Sequence, residues 1–289
     1  MARAGFEGWR LRECLARRKR QHADARITFC IPHHNSPEFL EIALRAIRQH
    51  HADSRVLVAD STSRREAFVA AKELCRQYEA ELHPAFGKHG HSYLLHQLWR
   101  VVTSEVAAFM DQDCVLLASL DPLLRQIENG IVLIGPRDGV TLDHPHYCRA
   151  NGGPQEFRTR PMFAHPSLMV VNANKVHELA GERPFRWREE LWGPEPQPPE
   201  GPYALSECVR RYEADALLLL ENRHTGYCYG TVYLYNSEPI AYHNWHSSVY
   251  GDPAAKQNET YDWMLRETKR FLDDYWNDSL DFQLSVESI

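Results

Sequence analysis

No apolar stretch of this chain approaches the roughly 20 residues that a membrane-crossing helix needs, so no stable membrane insertion is expected. The seven cysteines, at 14, 30, 75, 114, 148, 208 and 228, include no C-x-x-C pair. That pattern disfavours a zinc site or a disulfide framework and predicts free, mostly buried thiols. Excess positive charge is also missing. The formal net charge is −6, which argues against nucleic acid as the main partner. The opening MARAGFEGWRLRECLARRKRQ lacks the apolar core of a secretory signal, which predicts a cytoplasmic protein. No internal repeat is visible.

What remains is an ordinary globular composition, 43% hydrophobic and 25% charged, over 289 residues. That length suits one large α/β domain or two small ones. Residues 1–26 read as a basic helical extension carrying Arg10, Arg12, Arg17, Arg18, Lys19 and Arg20. A strand at Ile27–Pro32 then gives way to a helix. Asn35 or Ser36 can cap it, Pro37 suits its first turn, and Glu38 can close a capping box with Asn35. Leu40, Ala43, Leu44 and Ile47 supply its apolar stripe. A second strand, Arg55–Asp60, ends in the turn Ser61-Thr62-Ser63, and a helix over about Arg64–Tyr78 follows. Strand, helix, strand, helix at this spacing predicts right-handed βαβ units and a mainly parallel sheet with helices on both faces.

Further helices are expected at Ser92–Val102, after Asn172 as far as Gly181, at Ala204–Tyr212 and at Asn258–Tyr275. Further strands fall at Ile131–Gly135, Leu168–Asn172 and the apolar run from Ala216. A hairpin is expected around Asn236-Ser237. The segment GPEPQPPEGP (193–202) can only be a loop.

One strand carries the strongest chemical signal. Val106 to Met110 is a continuous apolar run, as in a strand covered on both faces, and it runs straight into Asp111-Gln112-Asp113. Open α/β sheets bind ligands beyond the carboxyl ends of their strands. Two carboxylates there are hard oxygen ligands suited to Mn²⁺ or Mg²⁺ carrying a phosphate, although the same pair can be a turn rich in aspartate.

Taken in order, the strand ending Ile31-Pro32-His33-His34-Asn35, the turn Ala59-Asp60-Ser61-Thr62-Ser63 and the D-x-D at Asp111–Asp113 resemble the GT-A fold glycosyltransferases, especially family 2. Residues 27–135 carry the resemblance best, and His165-Pro166-Ser167-Leu168, Asn172 and a late histidine follow the same layout. It implies a GT-A domain over 27–250, with a nucleotide-binding half (27–135) and an acceptor half (136–250), and a C-terminal helix and acidic tail over 251–289.

The resemblance also implies roles. Pro32, His33, His34 and Asn35 would line the nucleotide, and Asp60 would accept from a ring N–H of the base, favouring a uracil- or thymine-like edge. Lys88 is a candidate for phosphate. Asp111 and Gln112 would face the nucleotide sugar, with Asp111 holding the ribose, a metal-bound water or the metal itself. Asp113 and His243 would ligate Mn²⁺ or Mg²⁺. His246 lies an odd number of residues from His243, so in extended chain the two point to opposite faces.

Inversion needs a general base on the acceptor hydroxyl, and Glu200 stands where the family's E-D or D-T-G carboxylate is expected. The E-D pair itself is absent. Without a carboxylate there, the departing phosphate would take the proton and the anomer would be retained. Trp187, Trp192 and Tyr203 suit stacking on a sugar ring or packing under a loop. The implied activity is transfer of a sugar from a UDP-linked donor to an unknown acceptor. Two rival readings stand beside it. A nucleotidyltransferase usually carries a Gly-rich basic loop after the first strand, where this chain reads HHNSPE. A non-catalytic binder would be expected to have lost its metal ligands.

Overall fold

The computed structural model describes residues 25–85, 91–137, 163–185, 202–227, 230–244 and 258–277. Residues 1–24 of the basic extension, most of the acidic tail and residues 193–201 of the expected 193–202 loop lie outside them, while Pro202, the last residue of that loop, instead opens a helix. The first half of the chain runs β1 (Ile27–His33), α1 (Pro37–His50), β2 (Arg55–Asp60), α2 (Arg65–Gln77), β3 (Glu81–Pro84), α3 (His91–Trp99), β4 (Val106–Met110), β5 (Cys114–Leu116) and α4 (Asp121–Glu128). The second runs β6 (Leu133–Pro136), β7 (Leu168–Asn172), α5 (Ala173–Ala180), α6 (Pro202–Tyr212), β8 (Leu217–His224), β9 (Gly230–Tyr235), β10 (Glu238–Asn244) and α7 (Asn258–Trp276).

These strands form one sheet in the order β3-β2-β1-β4-β7-β6-β8-β9-β10-β5. The parallel character belongs to β3-β2-β1-β4 and to the β6–β8 pair. The remaining pairings are antiparallel, so the sheet is mixed. β1, β2 and β4 are buried along their whole length, and their side chains alternate between two cores. Phe29, Ile31, Val56, Val58 and Ala108 pack with Leu40, Leu44 and Ile47 of α1 and Phe271 and Leu272 of α7. Cys30, Leu57, Ala59, Ala107 and Phe109 pack with Leu94, Leu95 and Leu98 of α3, Val176 of α5 and Leu205 and Val209 of α6. Helices therefore cover both faces, as the alternation of elements predicts. Among the described residues no helix is long and apolar enough to cross a membrane, and Cys30, Cys75, Cys114 and Cys208 are free thiols.

One topological fact places the site. β4 and β5 stand six positions apart in the sheet. In a flat sheet that is about 29 Å. Only Asp111-Gln112-Asp113 joins them, and such a link reaches about 14 Å at most. The sheet must curl back, bringing its late strands over the exit of β4.

Some local expectations differ. The capping box does not form. Asn35 is left-handed (φ 54°) and its Oδ1 accepts from Ser63 N–H at 3.2 Å. Glu38 instead accepts from Tyr261 of α7 at 2.7 Å. β3 and β5 are too short to show a clear period in the sequence, and α4, with Leu123, Leu124 and Ile127 buried, is a further helix beyond those expected. The apolar run Leu217–Leu219 is only half-buried in β8.

Candidate functional site

Parallel register sets His33 of β1 opposite Asp60 of β2. Both side chains are sealed from solvent (0% exposed) and His33 Nδ1 lies 2.9 Å from Asp60 Oδ1. The same oxygen accepts from Thr62 N–H at 2.9 Å and from the Thr62 hydroxyl. Burial works to raise the Asp60 pKa, but the His33 and Thr62 hydrogen bonds outweigh it and hold the carboxyl below its ordinary value. An ionised Asp60 makes His33 Nδ1 the donor. Two buried atoms here, Asp60 Oδ2 and His33 Nε2, have no hydrogen-bond partner among the described residues.

His34 is held by its backbone. Its N–H donates to Gln112 Oε1 at 2.7 Å, and its C=O accepts from Gln112 Nε2 at 3.2 Å. The central residue of the D-x-D thus fastens the β4 exit to the β1 exit. The His34 ring reaches Ser61 O (3.0 Å) and Asn35 Nδ2 (2.9 Å). Pro32, His33, His34, Asn35, Asp60 and Gln112 are therefore brought together on one sheet edge. Lys88, Glu200, His246, Trp187 and Trp192 lie outside the described residues.

The second cluster forms where the curled sheet meets the β4 exit. β10 pairs with β5 so that His243 stands opposite Cys114, and Asn244 N–H donates to Asp113 O at 3.0 Å. Asn244 is anchored in turn to α7, donating to Thr268 Oγ1 at 2.6 Å and Met264 O at 3.2 Å. This brings together residues 130 positions apart in sequence: His243 Nε2 is 3.2 Å from Asp113 Oδ1. Asp111 Oδ2 is 3.8 Å from the same nitrogen. One ligand atom from each of Asp111, Asp113 and His243 lies within 4.8 Å of the others.

Hydrogen-bond polarity decides what this cluster can hold. Ser167 backbone N–H donates to His165 Nδ1 at 3.2 Å, so that nitrogen is an acceptor. Ser167 Oγ, 3.0 Å from it, must donate there too. The Ser167 oxygen then accepts from Tyr233 OH at 2.6 Å. With its proton committed, Tyr233 accepts from His243 Nδ1–H at 2.9 Å. Burial keeps Tyr233 protonated, its pKa raised well above the ordinary value. Desolvation drives His165 down to about 3, against the pull of Asp111, and so keeps it neutral. His243 therefore turns its Nε2 lone pair toward two carboxylates. Three acceptors converge, and only positive charge between them relieves the repulsion: a proton on Nε2, or a metal ion in its place. Two hard carboxylates and one imidazole suit Mn²⁺ and, less well, Mg²⁺. The residues fit the expected ion.

Two participants were not foreseen. Tyr233 orients His243, and His91, at the start of α3, places Nε2 2.8 Å from Asp111 Oδ1. Burial raises the Asp111 pKa, but His91 and then His243 outweigh it and hold the carboxyl well below the usual range. Nothing in the sequence marks His91 among sixteen histidines. Folding the hairpin about Asn236-Ser237 in regular register does not reveal Tyr233 either, because it sets His243 opposite Gly230.

Comparison with known proteins adds the following. The model of the family described as glycosyl transferase family 2 matches residues 28–188. Mannosyltransferase PcManGT from Pyrobaculum calidifontis, solved with GDP-Man and Mn²⁺, aligns at 19% identity over 54% of this chain and 47% of its own, with a TM-score of 0.41. GlyE of Streptococcus pneumoniae TIGR4 aligns at 13% identity over 68% and 45%, with a TM-score of 0.42. Glucosyl-3-phosphoglycerate synthase of Mycobacterium tuberculosis, solved with Mn²⁺, UDP and glucosyl-3-phosphoglycerate, aligns at 14% over 72% and 73%, with a TM-score of 0.44. The chain thus spans less than half the length of the first two. No curated protein sequence matches it.

Proposed function

Because the chain belongs to glycosyl transferase family 2, we propose that this glycosyltransferase moves a sugar from a UDP-linked donor to an acceptor, with Asp111, Asp113 and His243 holding Mn²⁺ or Mg²⁺. The observation that carries the reading is the convergence of the two carboxylates on a His243 lone pair whose direction the Tyr233–Ser167–His165 chain fixes. Bound there, a divalent ion supplies charge that stabilises the leaving diphosphate.

The nucleotide is assigned to the edge formed by Pro32, His33, His34, Asn35, Asp60 and Gln112. Asp60 Oδ2, buried without a hydrogen-bond partner among the described residues, is assigned the ring N–H of a uracil. Because Asp60 is sealed, this contact requires the His33 or Thr62 side chain to move aside. Lys88 is assigned to phosphate. Glu200 is assigned as general base, deprotonating the acceptor hydroxyl as it attacks the anomeric carbon from the face opposite the leaving group, so that configuration inverts.

A thermal-shift series with UDP-, GDP- and dTDP-sugars, with and without Mn²⁺, tests the donor. A shift specific to UDP-sugar plus metal is expected; a shift larger with GDP-sugar would reassign the base edge. Glu200→Gln should lower turnover by ~10²–10⁴-fold with donor affinity unchanged. A retained anomer by NMR, or normal turnover in that variant, removes Glu200 from the mechanism.

A further inference from the structure

We infer that His91 is a positioning residue of the metal centre: by donating to Oδ1 of Asp111 it reserves Oδ2 for the cation. The inference rests on the reading of Asp111, Asp113 and His243 as metal ligands.

A free aspartate offers either oxygen, and a small rotation exchanges them. Here the two are distinguished. His91 Nε2 lies 2.8 Å from Oδ1, while Oδ2 is the oxygen turned toward His243 Nε2 at 3.8 Å. Among the described residues, no other side chain is hydrogen-bonded to Asp111. The main chain on both sides is already pinned. Asp111 N–H donates to Ser167 O at 3.1 Å, and Asp111 O accepts from Cys114 N–H at 3.0 Å. Side-chain torsion is the remaining freedom, and His91 removes it.

His91 is well placed to do so because it opens a helix whose Leu94, Leu95, Leu98 and Trp99 are buried in the core. Its imidazole is therefore referred to the sheet through packed side chains, while its own side chain is 41% exposed. Asp111 in turn is less buried than Asp113, at 20% against 7% side-chain exposure. The more solvated carboxylate is the one that needs an external clamp. Such outer partners of metal ligands are typically worth 10–100-fold in metal affinity.

The test is a Mn²⁺ titration of the full chain, following free Mn²⁺ by electron paramagnetic resonance, with folding checked by circular dichroism. His91→Phe, which keeps a ring but has no donor, should weaken Mn²⁺ binding by about 10-fold or more. His91→Gln should retain most of the affinity, because its amide N–H stands in for the imidazole Nε2–H. If the Phe variant fails to fold, His91→Ala takes its place. Wild-type affinity in the donorless variant, or a Gln variant as weak as Phe, overturns the role of the hydrogen bond. Asp113→Asn separates the two levels. If it abolishes Mn²⁺ binding while His91→Phe binds with wild-type affinity, only the His91 inference fails; if it leaves binding intact, the metal reading itself fails and His91 falls with it.

Discussion

Two aspartate–histidine pairs sit on the same edge of this sheet, and they are built in opposite ways. Asp60 and His33 are fully buried, 2.9 Å apart, and the Asp60 oxygen they share is surrounded by donors: the imidazole, a backbone N–H and a hydroxyl. Asp113 and His243 are nearly as buried, 3.2 Å apart, but the histidine presents a lone pair and a second carboxylate stands close by. Identical residue types thus make a carboxylate oxygen met by three donors in one place and two carboxylates converging on an imidazole in the other. The difference lies in what stands next to the pair: donors around a single oxygen at Asp60, and a second carboxylate beside the imidazole at Asp113.

The contrast breaks most visibly at Asp113. Asp113→Asn should lower Mn²⁺ affinity by more than ~100-fold, beyond what loss of an outer partner costs. The apo melting temperature should stay the same or rise, since one of two facing carboxylates has been neutralised. Calorimetric Mn²⁺ titration beside a melting curve checks both halves. A marked drop in apo stability would mean that Asp113, like Asp60, is held by donors.

Asp60→Asn should show the reverse balance. Removing the charge from a carboxylate that accepts from His33 and Thr62 should cost ~1–3 kcal/mol of folding stability, read by urea unfolding. The pH dependence has a fixed sign. Because the folded Asp60 pKa is depressed, its contribution is full above the ordinary aspartate value of about 3.9 and is lost as pH falls below it. The gap between wild type and Asp60→Asn should be widest near neutrality and close on acidification. A gap that widens in acid contradicts the pairing.

Much of the first region could be read from the sequence because its contacts are local in the βαβ unit. A buried strand, an amphipathic helix and a second buried strand imply parallel neighbours, and parallel neighbours put their C-terminal loops side by side. The second region depends on contacts that a linear reading does not reveal. His243 was singled out, but its partner Tyr233 was not, and the reason lies in one irregularity. Glu238 and Pro239 pair with Tyr235 and Leu234, and then the register slips so that Ala241 faces Tyr233 and His243 faces Thr231. Without that bulge His243 would oppose Gly230 and share a face with Val232 instead. Proline, which has no N–H to give the ladder, stands at the slip. His91 was hidden differently, since its approach to Asp111 depends on how α3 docks and on no pattern within its own helix.

Tyr233→Phe gives the smallest effect and the finest distinction. It removes one hydroxyl and leaves the ring packed. At Asp60 the loss of a hydroxyl would take a donor away from a carboxylate. In the acceptor cluster it releases a constraint, because the phenol is what holds the His243 proton on Nδ1 and its lone pair on the carboxylate side. Released, the imidazole can place its proton on Nε2 and donate to Asp113 directly, as His33 Nδ1 donates to Asp60 Oδ1. The variant should therefore fold with stability within about 1 kcal/mol of wild type, the net worth of an ordinary hydrogen bond. It should bind Mn²⁺ about 10-fold more weakly, at the low end for an outer partner, because the metal must now displace that internal bond. Nitrogen-15 NMR of the His243 ring reads the protonation of Nδ1 directly: a proton there in the wild type, and none in the variant, whose proton sits on Nε2. An unchanged Nδ1–H signal in Tyr233→Phe, with unchanged Mn²⁺ affinity, would show that the hydroxyl chain does not set the polarity of the site.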